Sequence, residues 1–208
     1  MRVLAWNGEL TQFGGDVLAI GRFDGEAPSP AEKKLDAALG GALGAAAERL
    51  RFKGKARQRV SVTASDKLAT SHVVLIGLGK KSECSPAILR DMPALAIEVA
   101  LAERYPTVGL VPPQTGLDVV EQMALGATLG AYRYYDLLSE PEDGPRAALE
   151  AVSILTDEDA DATLVRAAGV AEAVCLGRTL INEPANICTP ERLEGVAREI
   201  ASAPGFEL

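Results

Sequence analysis

One histidine, His72, stands among 208 residues. No cluster of histidines can therefore hold a metal ion, and a lone His at the entrance of an apolar run reads as structural. Cysteine is nearly as thin. Cys84, Cys175 and Cys188 are scattered and form no CxxC pair. That pattern excludes a disulfide framework and reads as reduced thiols of a cytosolic protein, each a small buried hydrophobe. Cations are outnumbered, 21 Lys and Arg against 29 Asp and Glu, giving a net charge of −8. Phosphate binding needs clustered Lys and Arg, so this balance argues against nucleic acid or an anionic membrane as a partner. The one dense basic stretch, RLRFKGKARQR at Arg49–Arg59, reads as the solvated end of a helix and a loop; any DNA-binding role would have to rest on it. No run approaches the ~20 apolar residues of a membrane span. MRVLAWNGEL lacks a basic region followed by a long apolar run, so no signal peptide is expected.

Familiar catalytic signatures are missing as well. There is no GxSxG elbow, and no thiol has an evident partner to activate it. Gly77-Leu78-Gly79-Lys80-Lys81 lies between a strand and a helix, but Val74 and Lys81 break the GxxxxGK[ST] pattern and Ser82 breaks GxGxxG. It reads as a tight turn, with Gly77, Gly79 and Lys80 as the sole candidate ligand loop. Asp157, Asp159 and Asp161 begin like a calcium loop, yet Ala162 and Ala168 occupy the turn-glycine and bidentate-acid positions. Those acids read as caps on a helix start.

What is present is ordinary for a globular chain: 48% hydrophobic and 24% charged residues. A chain of this length buries roughly 70% of its unfolded surface and needs no staple to fold. Short apolar runs at 2–6, 16–23, 59–63, 73–78, 107–111 and 149–155 read as strands, the fourth as one buried on both faces. Helices alternate with them. Ser29, Pro30 and Glu32 form a capping box at the start of the first. Gly40, Gly41 and Gly44 break that helix or let it lie close to a neighbour. Ser85-Pro86 opens a second helix, in which Pro93 marks a kink or a restart. A third spans 116–135, with Gly126 and Gly130 as a seam for close packing. A long alanine-rich helix covers 159–181. Alternating strands and helices imply an α/β layered fold with a mostly parallel or mixed sheet. Ser139–Pro145 reads as a surface loop.

INEPANICTPERL at Ile181–Leu193 is the most distinctive stretch. Pro184 keeps Glu183 from helical angles and ends the long helix. Asn182 and Asn186 are placed to hydrogen-bond nearby backbone. Thr189 is a good N-cap, Pro190 fits the first helical position, and Glu191 sits in the positively polarised first turn. A new helix therefore runs to about Ala201. The whole reads as a stiff elbow between two helices, as suits a domain junction.

NEPANICTPERLEGVA, preceded by AEAVCLGRTLI, resembles the junction motif of the leucine aminopeptidase family, the cytosol-type metallo-aminopeptidases. VVLIGLGKKSE resembles the family's strand and Gly-Leu-Gly-Lys turn, and MALGATLGAYRYYDLLSE its Gly-rich helix ending in a Tyr-Arg-aromatic signature. Leu138 stands where the family usually has lysine. The resemblance spans roughly residues 73–200. It implies a three-layer, macrodomain-like N-terminal domain at 1–156, a linker helix at 157–182, and the start of a catalytic domain at 183–208. It further implies a cytoplasmic hexamer that removes N-terminal residues from peptides, using two divalent metals, zinc or manganese, held in the catalytic domain. The family's metal-binding elements, Lys-Gly-x-x-Phe-Asp-x-Gly-Gly and Asn-Thr-Asp-Ala-Glu-Gly-Arg, do not occur in the sequence. The expectation is a non-catalytic N-terminal portion, inactive alone, with no metal of its own. Asn182, Pro184, Asn186, Thr189 and Pro190 would be its junction residues. Macrodomain-like folds can hold ADP-ribose, so a stand-alone nucleotide-binding module is the alternative.

Overall fold

A computed structural model describes residues 1–64, 66–139, 141 and 144–202. Residues 140, 142 and 143 of the expected surface loop, and the last six residues of the expected 183–208 segment, lie outside that set. Among the described residues six strands form one sheet: β1 (Arg2–Trp6), β2 (Val17–Arg22), β3 (Arg59–Thr63), β4 (His72–Gly77), β5 (Thr107–Val111) and β6 (Ala151–Leu155). Their spatial order is β1-β6-β5-β2-β4-β3, all parallel except β3, which runs antiparallel to β4 at one edge. The described residues form six α-helices: α1 (Pro30–Ala38), α2 (Ala42–Arg49), α3 (Pro86–Ala102), α4 (Leu117–Ala131), α5 (Asp161–Asn182) and α6 (Pro190–Ala201).

Three layers follow from the alternation of side chains along each strand. In β2, Val17 and Ala19 face a core shared with α3, α4 and α5, while Leu18 and Ile20 face a second core shared with α1 and α2. In β4, Val74 and Ile76 take the first side, Val73 and Leu75 the second. This is why the run at 73–76 is apolar at every position: neither face meets water. Edge strand β3 buries only Val60 and turns Arg59, Ser61 and Thr63 outward. Asp16 gathers the starts of three neighbouring strands. Its carboxylate accepts from Thr107, and its carbonyl accepts from the Ser71 and His72 amides at 3.0 and 2.8 Å.

Several local expectations change in the folded chain. Ser29 does cap α1, accepting from the Glu32 amide at 3.1 Å, but the Glu32 side chain does not return to the cap. It is buried, and its carboxylate pairs with Arg22 on β2. Gly40 and Gly41, at φ +67° and +85°, do break the helix, separating α1 from α2. Pro93 does not restart α3, which is continuous over 17 residues. Helix α4 ends at Ala131, four residues earlier than the pattern suggests. Among the described residues no side chain caps α5. Its N-cap is Ala160, and only Asp161 of the three acids lies in its first turn. Glu158 instead accepts from the Gly116 amide at the mouth of α4, at 2.7 Å. The three thiols are half-buried rather than buried, and burial pushes those of Cys84 and Cys175 upward.

Candidate functional site: the helical junction

The second half of α5 meets the chain where α4 stops. Leu164, Ala167 and Ala171 are the buried residues of α5, all in its first half, and they seat it against the sheet and α4. Its second half is held by polar contacts. Arg178 donates to the Leu129 carbonyl at 2.9 Å and lies 5.7 Å from the centre of the Tyr132 ring. The Tyr132 hydroxyl shares a hydrogen bond with Thr179 at 3.1 Å and accepts from the Asn182 amide at 3.2 Å. Arg133 turns back to the Gly130 and Tyr132 carbonyls at 2.7 and 2.8 Å, satisfying acceptors left free where α4 ends. Tyr132 of the aromatic signature is thus a fastener between α4 and α5, while Arg133 closes the end of α4. The spacing of Tyr132 from Thr179 and Asn182, about fifty residues, hid this role from sequence reading.

Beyond Asn182 the chain bends. The Glu183 amide closes α5 on Thr179 at 2.9 Å, and Glu183 itself is extended, as a residue before proline must be. The Pro184 carbonyl accepts from the Ile187 and Cys188 amides at 2.8 and 2.9 Å. Thr189 caps α6, its hydroxyl accepting from the Arg192 amide at 3.3 Å, with Pro190 at the first helical position. Arg192 then reaches back across the bend to Glu183 at 3.0 Å. Hydrogen bonds to its own backbone and, second, to the Thr189 hydroxyl hold the Glu191 carboxyl below its ordinary value. Its share of stability is present above the usual glutamate range and is lost as pH falls through the lowered value. Asn182 does not serve the bend as expected: it is the last residue of α5 and points to Tyr132. Asn186 is exposed and makes no side-chain hydrogen bond among the described residues. The bend is held by the Pro184 carbonyl and the Glu183–Arg192 pair instead.

Replacing Tyr132 with Phe removes the shared hydroxyl and little else. We expect a loss of about 1 kcal/mol, the typical net worth of a hydrogen bond. Amide exchange confined to Arg178–Asn182 should accelerate several-fold while the sheet stays protected.

The candidate ligand loop is otherwise occupied. The amides of Gly77, Leu78 and Gly79 donate to the carbonyls of Gln58, Arg22 and Gly54 at 2.8, 2.9 and 2.9 Å. A Cβ on Gly77 would strike the Lys55 carbonyl, so this glycine serves close packing of two loops. Lys80 pairs with Glu83 at 3.0 Å. These three backbone donors are spent inside the protein. His72 is half-buried beside Tyr105, with Nε2 3.3 Å from the Thr63 hydroxyl. Among the described residues, no group of three or more His, Cys, Asp or Glu side chains is arranged to hold a metal, and no helix is long and apolar enough to cross a membrane.

Fold and exit together define a class: a sheet covered on both faces, with a long helix leading from its body into a fixed bend and a further helix. The chain belongs to the cytosol aminopeptidase family, whose N-terminal domain matches residues 19–141. It is 31% identical over 202 residues to a probable cytosol aminopeptidase of Geobacter sp. (strain M21), covering 92% of this chain and 40% of that protein. It is 29% identical over 212 residues to a chloroplastic leucine aminopeptidase of Solanum tuberosum, covering 93% and 36%. A tomato leucine aminopeptidase mutant superposes with a TM-score of 0.85 at 28% identity, over 97% of this chain and 42% of that one. The bottromycin maturation enzyme BotP, solved in complex with Mn, gives 0.68 at 25% identity, over 90% and 36%. The chain therefore spans about two fifths of the length of the relatives it matches.

Proposed function

We propose that this chain is the N-terminal, non-catalytic portion of a longer leucyl-type metallo-aminopeptidase, which removes N-terminal residues from peptides. The carrying observation is the match to the family's N-terminal domain, together with coverage of 36–42% of relatives that are aminopeptidases by name. On this reading residues 1–156 are the α/β domain, 157–182 the linker helix, and 183–208 the entry to the catalytic domain. Asn182, Pro184, Asn186, Thr189 and Pro190 mark that entry.

The described side chains do not fit a dinuclear metal centre, so no catalytic step is assigned to them. The two divalent ions, zinc or manganese, would be held downstream; the manganese complex of BotP supports the latter. There they would polarise a water for attack on the scissile carbonyl. A cytoplasmic hexamer is part of the same proposal. The contribution of this chain is to fix where the following body sits. The test is hydrolysis of leucine p-nitroanilide by the full-length protein and by the 208-residue chain, each with added Mn²⁺. Activity in the first that is abolished by a chelator, and none in the second, is the expected result. A full-length protein without peptidase activity would overturn the assignment.

A further inference from the structure

Glu183 carries a feature that the bend itself does not explain. Its side chain is only 7% exposed. One carboxylate oxygen, Oε1, takes the Arg192 guanidinium at 3.0 Å, while Oε2 is buried and has no hydrogen-bond partner among the described residues. Buried carboxylate oxygens are rarely left unpaired, because the lost hydration is not recovered. The charge is already balanced by Arg192, so what Oε2 calls for is a neutral donor rather than a second cation. Around it in the chain, large apolar side chains face water: Ile181 is 84% exposed, Leu193 48% and Ile187 41%.

We propose that Glu183 is a docking anchor. Its Oε2 accepts a hydrogen bond from an N–H or O–H group of the polypeptide that follows α6 in the parent protein, and that same body covers Ile181, Ile187 and Leu193. This rests on the reading of the chain as an N-terminal portion. The occupant is the continuing chain and not a second copy for two reasons. The match includes the family's N-terminal domain and covers only 40% of the relative's length. A body tethered so closely also competes at a high effective concentration that a separate molecule does not reach.

Amide exchange over Glu183–Leu193 tests the anchor, comparing the full-length protein with the 208-residue chain. In the wild type the segment should exchange at least about tenfold more slowly in the full-length protein. Glu183→Gln places an amide N–H₂ or a neutral oxygen where a carboxylate oxygen met a donor. It should raise exchange in the full-length protein about tenfold, and in the 208-residue chain by less than about threefold, since there only the Arg192 pair is weakened. Arg192→Gln, which keeps the carboxylate, should affect both proteins alike. Equal wild-type exchange in the two proteins would overturn the anchor whatever the variants do, as would an equal response of both to Glu183→Gln. Exchange does not depend on activity. A full-length protein that hydrolyses peptides but shows no such difference would sink the anchor alone. One that shows the difference but has no peptidase activity would sink the functional assignment alone.

Discussion

Glu32→Ala should destabilise the domain by about 3–5 kcal/mol, the largest effect expected of any polar substitution here. The Glu32 side chain is 3% exposed and that of Arg22 13%. Arg22 reaches it through two nitrogens, Nε to Oε2 at 2.9 Å and Nη2 to Oε1, and its guanidinium also lies 5.2 Å from the centre of the Phe52 ring. The pair links the end of β2 to the first turn of α1. Removing the carboxylate strands a guanidinium between an aromatic ring and the core, with almost no water to solvate it. A domain stable by 5–15 kcal/mol does not absorb such a loss easily. Urea unfolding of the 208-residue chain measures it. The double variant Arg22→Met with Glu32→Leu removes both charges together and should recover most of the loss, because the desolvation cost vanishes with the pair. If Glu32→Ala lowered stability by less than about 1 kcal/mol, the pair would be behaving as a solvated surface contact.

The second large effect is expected at the contact between α3 and α4. A Cβ on Gly126 would fall on the Arg90 carbonyl oxygen, and one on Gly130 would lie 2.7 Å from the Ala94 Cα. Both obstacles are backbone, which cannot rotate aside as a side chain can. Gly126→Val should therefore force the helices apart and cost about 3 kcal/mol, at the upper end of typical overpacking penalties. Met123, Ala124 and Ala127 beside it are buried, so the displacement spreads through the main core. Gly169 in α5 supplies the contrast, since nothing lies within 4 Å of the Cβ it would carry. Gly169→Ala should stabilise by about 0.5–1 kcal/mol through helix propensity alone. Thermal unfolding of the two variants, side by side, separates a packing glycine from an incidental one. Opposite signs are expected; equal signs would remove the seam from the account.

The elements that were legible in advance are those whose signals act over a few residues. Pro184 restricts Glu183, Thr189 caps the Arg192 amide, and Pro190 fits the first turn, each through neighbours no more than three positions away. The apolar run at 73–76 reported burial on both faces because alternation projects side chains into both layers. The misreadings share one cause. Glu32 has the right spacing for a capping box but a stronger partner on β2; α4 stops at Ala131, where Tyr132 leaves the helix and its hydroxyl meets Thr179 and Asn182; and Asn182 reaches α4 instead of the bend.

Sequence alone determined that strands and helices alternate, that the long helix ends at a proline, and that another begins at a threonine cap. These rest on sterics and hydrogen bonds confined to a turn of chain. Only the tertiary structure decided the strand order, the pairing of Arg22 with Glu32, the fastening of α5 by Tyr132, and that one Glu183 oxygen is buried without a partner among the described residues. Each depends on which groups the packing of the whole chain brings within reach of one another, and no local signal carries that.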